Sequence, residues 1–395
     1  MKKLKTVSVC LIVLLAMPFA LSGQRYISGR ITDAGYGSGV PAVTVLISGT
    51  TTGTSTDLDG NYRLRIPGAG SYQIVVSSVG YQTVFKDIEP GNKSLVFDAV
   101  LQVYELSEVE VSAKVQFRQR DINLFWRTIL GKNPSRRTIQ AMNPKAVYYF
   151  YNSETRILTV TCREPLQINN NETGYHILYI LNNFKHDYNT GITVWNYQYL
   201  FTELKPLNTR QKNNWDINRA KVYDVSITKF IRSLYHNSLL NDGFVLASIE
   251  KKDTVVETIK AKETIRAEVT MGAENQRFNT PPPVFYKFSI LNPDSIFWTN
   301  PDDNSKILDL SDKQVMLICY GRPVTDKDLT MITQNAQIRG LFANILVGES
   351  IRFLPDGTYA NRLGFSPVDF SNSILGLCMK LPIEYVPELI MDNEQ

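Results

Sequence analysis

Short runs of alternating apolar and polar residues, separated by Gly, Pro, Asp or Asn, most constrain how residues 24–103 can fold. In "NYRLRIP", Tyr62, Leu64 and Ile66 fall on one side of an extended chain and two arginines on the other. The runs "AVTVLI", "SYQIVV" and "LVFDAVL" repeat this period of two. Because they recur about every eight to twelve residues, they predict a β-sandwich with one small core.

The stretch "STDLDGNY" joins two of these runs and carries Asp57, Asp59 and Gly60. A calcium loop would need oxygen ligands at alternate positions and a glutamate further on, but Asn61, Tyr62 and Arg63 follow Gly60. Glycine can adopt a positive φ without steric cost, and Asp side chains accept hydrogen bonds from turn amides. We therefore interpret Asp57, Asp59 and Gly60 as a structural hairpin turn.

Residues 1–23 have the pattern of a secretory signal peptide. Three lysines precede the apolar stretch "VSVCLIVLLAMPFAL", and the small residues Ser22 and Gly23 offer a cleavage site. Gln24 stands where a lipoprotein would have a cysteine, so we expect cleavage without a lipid anchor. Later segments lack the length and apolarity of a transmembrane helix. The sequence therefore predicts an exported protein with no transmembrane segment in the mature chain.

Charge and cysteine content narrow the possible partners. The formal net charge is +4, and removing the three signal lysines leaves 4 − 3 = +1. So small an excess gives no reason to expect a nucleic-acid partner. Cys10 lies in the signal peptide, and the three cysteines that remain after cleavage, Cys162, Cys319 and Cys378, are odd in number and far apart, which excludes a disulfide framework. Buried free thiols are the favoured interpretation, and one disulfide remains open in an oxidising compartment.

The sequence contains no recognisable catalytic or metal-binding constellation. A zinc carboxypeptidase needs a histidine followed three residues later by a glutamate, with a second, distant histidine. Tyr, Asn and Leu stand three residues after His176, His186 and His236, respectively, so we interpret these histidines as structural or surface residues. Nucleophile elbows, P-loops and dinucleotide fingerprints are also absent. We predict no catalytic residues, no metal ligands and no cofactor.

Residues 118–395 differ in character and predict a β-rich α+β domain with a few helices. The segment "RDINLFWRTILG" places apolar residues at helical spacing and ends at Gly131. A second helix is predicted after Ser226, which can cap it. Between the helices, runs such as "RILTVTC" and "KQVMLICY" indicate strands. We assign 104–117 to a linker or exit strand, so the fold class is mainly β in two domains.

One predicted strand, "TVWNYQYLF", places four aromatic rings on a single face: Trp195, Tyr197, Tyr199 and Phe201. If that face is exposed, it is a candidate binding face for sugar rings or a protein partner. If it packs against the helix that contains Phe230, it belongs to the core. We favour the core interpretation because large aromatic side chains are mostly buried.

Four N-terminal motifs occur together in this chain: "ISGRITD", "GVPAVTVLISGT", "TSTDLDGNYRL" and "SSVGYQT". In combination they resemble the carboxypeptidase-regulatory-like domain, a transthyretin-like sandwich of seven strands. In that family the domain is a non-catalytic β module, found beside metallocarboxypeptidase domains and at the N-terminus of TonB-dependent transporters. The segment "YELSEVEVSAK" (104–114) is similar to the part that precedes the transporter plug. A transporter barrel, however, does not fit into the roughly 280 residues that follow.

The second domain resembles the C-terminal part of exported, uncharacterised proteins of Gram-negative envelopes that carry this regulatory-like domain. "EPLQINNNETGYHILYILNNF", "NRAKVYDVSITKFIRSL" and "IRFLPDGTYANRLGFSPVDF" carry this resemblance. It implies an architecture and a location in the periplasm or at the outer membrane, but no activity.

Together, these features predict a non-catalytic binding or scaffolding protein of the cell envelope. The expected partner is a protein or a glycan, and an association with outer-membrane nutrient uptake is one possibility. Two alternatives stay open. The first is a hydrolase whose site lies in the second domain, around Arg163, Glu164, Asp216 or Arg219. The second is a glycan-binding protein that uses the aromatic strand face.

Overall fold

The computed structural model describes residues 25–104, 118–131, 138–251, 286–301, 305–308, 314–334, 341–347, 351–360, 365–367 and 380–387. The predicted signal peptide, all of the predicted linker except Tyr104, and Cys378 lie outside the described residues. No helix in the described part of the chain has both the length and the apolarity needed to cross a membrane.

Residues 25–104 form the predicted sandwich of two sheets. One sheet has the order β4-β1-β7, with β8 also paired to β1, and the other has the order β3-β2-β5-β6. The alternating residues of the sandwich lie as predicted: Tyr62, Leu64 and Ile66 are in the core, and the arginines between them are exposed. The strands are β1 (Tyr26–Asp33), β2 (Thr44–Ile47), β3 (Gly53–Ser55), β4 (Asn61–Arg65), β5 (Tyr72–Ser77), β6 (Val84–Ile88), β7 (Leu95–Val96) and β8 (Ala99–Leu101).

The last strand of the sandwich is divided into β7 and β8, so this domain has eight short strands where seven were expected. Between them, the Phe97 carbonyl accepts a hydrogen bond from the Tyr62 hydroxyl at 2.7 Å and turns towards β1. A Cβ on Gly29 would lie only 2.0 Å from that carbonyl oxygen. The pairing of the last strand with β1 can be interrupted here because Gly29 has no side chain and lets the Phe97 carbonyl approach the backbone of β1.

The first part of the second domain is a sheet of long antiparallel strands covered by helices. Its order is β10-β11-β13-β12-β9, with β14 paired along β13. The elements are α1 (Gln119–Leu130), β9 (Ile139–Ala141), a 3₁₀ turn (Pro144–Ala146), β10 (Val147–Asn152), β11 (Ile157–Cys162), β12 (Leu166–Asn170), β13 (Tyr175–Asp187), β14 (Thr193–Glu203) and α2 (Thr209–Asp224).

The second part contains two further sheets, with the orders β16-β15-β19-β20-β23 and β17-β18-β21-β22. The elements are α3 (Ile227–Tyr235), β15 (Phe244–Lys251), β16 (Tyr286–Ile290), α4 (Pro293–Ile296), β17 (Phe297–Thr299), β18 (Lys306–Leu308), β19 (Gln314–Cys319), α5 (Asp326–Thr333), β20 (Leu341–Val347), β21 (Ile351–Phe353), β22 (Tyr359–Ala360) and β23 (Phe365–Pro367). The predicted fold class, mainly β with a sandwich followed by an α+β region, is confirmed.

The second domain has two main apolar cores. Phe125 of α1 lies in the first core, against the long sheet, and contacts Tyr149 and Phe184 edge to face. Phe230 of α3 lies in the second core, between the two smaller sheets. Both predicted helices are confirmed, and Ser226 caps α3 by accepting a hydrogen bond from the Lys229 amide at 3.1 Å. Helices α2 and α5 were not predicted.

The two domains meet over the sheet β3-β2-β5-β6. The alternate residues of this sheet point away from the sandwich core, and Leu46 and Val75 are fully buried against Ile180 of β13. Leu200 of β14 packs into the same cluster. Strands β2 and β5 of this sheet are therefore covered on both faces, whereas Phe85 of the neighbouring β6 stays 47% exposed.

Candidate functional site

The threonine-rich turn between β2 and β3 adds to the outer edge of β14. The Gly49 amide donates to the Tyr199 carbonyl at 2.8 Å, and the Phe201 amide donates to the Thr50 carbonyl at 2.9 Å. Thr50 is fully buried and forms a parallel bridge with Leu200. The turn therefore docks the first domain through backbone hydrogen bonds, a role that its sequence did not reveal.

Residues 380–387 clamp the same turn from the other side. The Ile383 amide donates to the Gly49 carbonyl at 2.9 Å. One carboxylate oxygen of Glu384 accepts hydrogen bonds from the Thr51 amide at 2.5 Å and the Thr51 hydroxyl at 2.6 Å. Residues near the C-terminus thus hold a turn in the first domain, over a sequence separation of 333 residues.

The aromatic strand face lies against the core of the second domain. Phe201 is buried, and Trp195, Tyr197 and Tyr199 are partly buried and pack on the cluster that contains Phe125. Tyr197 stacks on the buried Tyr179 with ring centroids 4.9 Å apart. Little of these ring faces is left open to a ligand, so the arrangement favours the core interpretation over a binding face.

The acidic turn after β3 is held by its own side chain. One carboxylate oxygen of Asp57 accepts from the Asp59 amide at 3.0 Å and the Asn61 amide at 2.8 Å, and these bonds lower the pKa of Asp57. Gly60 has φ +81°, and a Cβ there would lie 2.3 Å from the Ile31 carbonyl oxygen. In this geometry Asp57 orders backbone amides, as expected of a structural turn.

The histidines are engaged in structural contacts. A ring nitrogen of His176 lies 2.7 Å from the Asn169 side-chain oxygen, and one of His186 lies 2.8 Å from the Thr193 hydroxyl. Burial lowers the pKa of both imidazoles. His236 forms the C-cap of α3. These positions agree with the interpretation of the histidines as structural or surface residues.

The four side chains considered for a hydrolase do not converge. Glu164 accepts from the side-chain nitrogen of Asn143 at 3.0 Å, and Arg163 lies over the Tyr148 ring. On α2, Arg219 donates to the Thr173 carbonyl at 2.7 Å and pairs with Glu203 at 3.0 Å. Asp216 pairs with Lys212 at 2.9 Å. No hydrogen bond or ion pair joins Arg163 or Glu164 to Asp216 or Arg219 within the described ranges.

Two thiols are embedded in sheets and should be unreactive. Burial raises the pKa of the Cys162 thiol to about 12 and raises that of Cys319 still further. Because the thiolate is the nucleophile, we expect neither residue to react with a maleimide or disulfide reagent in the native protein at pH 8. Peptide mass spectrometry after labelling, with and without denaturant, measures this directly. Cys162 is partly exposed and Cys319 is buried, so rapid native labelling of Cys319 would contradict the described packing.

Sequence reasoning missed a cluster at the start of α1. Arg118 contacts the carboxylate of Asp121 with two nitrogens, at 2.6 and 2.9 Å, and the Tyr188 hydroxyl donates to the same carboxylate at 2.5 Å. Asp121 is fully buried. The guanidinium of Arg118 lies 3.2 Å from the ring centroid of Tyr151, and that of Arg120 lies 4.4 Å from that of Tyr188. The sequence signal that could have pointed to this cluster is its charge: six basic residues and one acid lie between positions 118 and 137.

Residues 27–111 match the model of the CarboxypepD_reg-like domain. This match confirms the resemblance drawn from the N-terminal motifs. A segment of 124 residues, 31% of this chain, is 28% identical to TonB-dependent receptor P3 of Formosa agariphila and spans 12% of that receptor. The matched part is therefore a small fraction of its relative.

Solved structures add little about the rest of the chain. A chain of a type II cohesin–X-dockerin complex from Acetivibrio cellulolyticus is 17% identical, with 22% of this chain and 62% of that chain covered and a TM-score of 0.19. A candidate carbohydrate-binding protein of Bacteroides uniformis is 14% identical, with 46% and 99% covered and a TM-score of 0.18. Neither score establishes a common fold.

Proposed function

We propose that the protein is a non-catalytic binding protein of the bacterial cell envelope. Its CarboxypepD_reg-like domain would engage a protein partner, while the second domain holds that domain in place. The match to residues 27–111 and the similarity to a TonB-dependent receptor support the envelope assignment. The fixed contacts of Arg219, Asp216 and Glu164 support a structural role for the residues considered catalytic.

The observation that carries this proposal is an exposed apolar strip on the side of the first domain that the second domain leaves uncovered. Val96 of β7 and Val100 of β8 are 74% and 58% exposed, and both strands belong to the sheet around β1. Val79, Val103 and Tyr104 continue the strip at 68%, 61% and 47%. The Tyr104 amide donates to the Gly80 carbonyl at 2.8 Å, which joins these two parts of the strip.

Such a strip is typical of a protein–protein interface. Single exposed apolar residues are ordinary, but several on neighbouring strand ends form an apolar patch whose exposure to water is unfavourable. The strip also borders the short strand β7, whose outer backbone groups could pair with an extended segment of a partner. A protein ligand fits this combination better than a sugar does, because the packed aromatic strand leaves a glycan little open ring face.

Affinity capture from the envelope fraction of the bacterium that carries the protein tests this function. The tagged full chain should retain a specific protein, and Val96→Asp should remove it, because a buried unpaired charge opposes association. Leu207→Asp is the matched control: Leu207 is 88% exposed and precedes α2 in the second domain, away from the strip. Failure to capture any protein, or equal capture by all three forms, would refute the proposal.

A further inference from the structure

A shallow groove of about 480 Å³ runs along the exposed side of α1. Its walls are Arg120, Asn123, Leu124 and Arg127 of the helix and Tyr188 at the end of the β13 hairpin. The three polar helix residues are spaced at i, i+3 and i+7, so they lie on one face of α1. No acidic side chain lines this groove among the described residues.

The charges around the groove do not balance. Asp121 is the acid beneath it, and two guanidiniums share its single negative charge: Arg118 at 2.6 Å and Arg120 at 3.5 Å. The side chain of Arg127 has no hydrogen-bond or ion-pair partner in the part of the chain that the structure describes, and its backbone carbonyl is engaged by the Gly131 amide. Three arginines against one aspartate leave 3 − 1 = +2. The nearby Asp187 accepts from the Asn189 amide at 2.7 Å in the hairpin, and counting its charge as well still leaves an excess of 3 − 2 = +1.

Arg120 is also held in place before any ligand arrives. Its guanidinium lies 4.4 Å from the Tyr188 ring centroid, and the Tyr188 hydroxyl is fixed by its bond to Asp121. A stacked, oriented guanidinium loses less side-chain entropy on binding than a freely rotating one. The Tyr188 hydroxyl is already engaged, so Tyr188 contributes a ring wall, and Leu124 contributes a small apolar surface.

We propose that this groove binds a phosphate group through Arg120 and Arg127. A phosphate carries up to two negative charges and several acceptor oxygens, which suit two guanidiniums approaching from different positions along a helix. The Asn123 side chain lies between them and can donate to a third oxygen. The phosphate could belong to a lipid headgroup or be free in solution, since both present the same oxygens to the groove.

Phosphate titration of the purified full chain, followed by calorimetry at low ionic strength, tests the site. We expect saturable binding that Arg127→Glu weakens about tenfold or more, with Arg120→Gln weakening it in the same direction. Arg210→Glu is the matched control, because Arg210 is an exposed arginine on α2, outside the groove. Arg127→Gln provides a second, milder variant, and the thermal transition of each variant checks that the fold is retained.

A parallel flotation assay identifies the source of the phosphate. Vesicles that contain phosphatidylglycerol are compared with vesicles of phosphatidylcholine alone. If free phosphate binds and Arg127→Glu abolishes the binding, a soluble ligand is supported. If only the anionic vesicles bind, with the same loss in Arg127→Glu, a lipid headgroup is supported. If neither probe binds, or if Arg210→Glu weakens binding as much as Arg127→Glu, the proposal is overturned.

Discussion

Replacing Arg232 with alanine is expected to destabilise the protein by about 3 kcal/mol and to loosen the docking of its two domains. The Arg232 side chain donates to the carbonyls of Asp356 at 3.1 Å, Tyr385 at 3.1 Å and Ile383 at 2.9 Å, and to the Tyr223 hydroxyl at 3.0 Å. Removing it would leave three partly buried carbonyls without this donor.

The effect should reach the first domain because both segments that Arg232 holds also contact the sandwich. Residues 383 and 384 bind the Gly49–Thr51 turn. In the other segment, the Thr358 hydroxyl accepts from the Ser71 amide at 3.0 Å, and Asp356 accepts from the Tyr72 hydroxyl at 3.3 Å. Loss of Arg232 would therefore weaken both sets of polar contacts between the domains at once.

Chemical denaturation followed by fluorescence measures this effect. We expect the parent protein to unfold in a single cooperative transition. Arg232→Ala should unfold at a lower denaturant concentration and in two separate steps. Arg232→Lys should recover only part of the loss, because one ammonium cannot reach four acceptors in a planar fork arrangement. Arg210→Ala, an exposed change, should leave the curve unmoved. A curve for Arg232→Ala that overlays the parent would contradict the role assigned to this side chain.

The parts of the fold that the sequence predicted are those with a strong local period. The alternation in β4 and β5 and the helical spacing in α1 and α3 follow from backbone geometry, so neighbouring residues suffice to recognise them. Helix α2 was missed because its sequence, "TRQKNNWDINRAKVYD", is polar almost all round. Its capping signal was present, since Asn208 accepts from the Gln211 amide at 2.9 Å.

The candidate sites depended on contacts between distant parts of the chain. The period of two places Trp195, Tyr197, Tyr199 and Phe201 on one face whatever covers that face, so the sequence left both interpretations open. The Asp121 cluster was missed for the same reason. Tyr188 is 67 residues from Asp121, and no local pattern indicates that its hydroxyl binds the carboxylate that Arg118 contacts. Burial and partner choice are tertiary properties, so this information is missing from short segments.

The turns after β12 and β13 have nearly the same backbone conformation, with one glycine in each. Gly174 follows β12 and Gly191 follows β13, with φ +71° and +74°, and each amide donates to the carbonyl four residues earlier at 2.8 Å. Their surroundings differ. A Cβ on Gly174 would lie 2.2 Å from a ring carbon of Trp215, whereas one on Gly191 would meet no described heavy atom within 4 Å.

Gly191→Ala should therefore cost only the backbone strain of a positive φ, about 1 kcal/mol. Gly174→Ala should cost about 3–5 kcal/mol, because the new methyl group must also displace Trp215 from the turn. That displacement would break the bond from the Trp215 ring nitrogen to the Asn171 carbonyl, which is 2.8 Å long. It would also disturb Arg219, which holds the Thr173 carbonyl of the same turn.

Paired denaturation curves for the two variants isolate the effect of packing from that of φ. The difference between them estimates the cost of moving α2 away from the 171–174 turn, because the backbone conformation of the two glycines is nearly the same. Double substitution with Trp215→Ala should reduce the extra cost of Gly174→Ala, since the clashing ring is then absent. Equal destabilisation by Gly174→Ala and Gly191→Ala would show that α2 does not pack on this turn as described, and that Arg219 is not fixed there in a structural role.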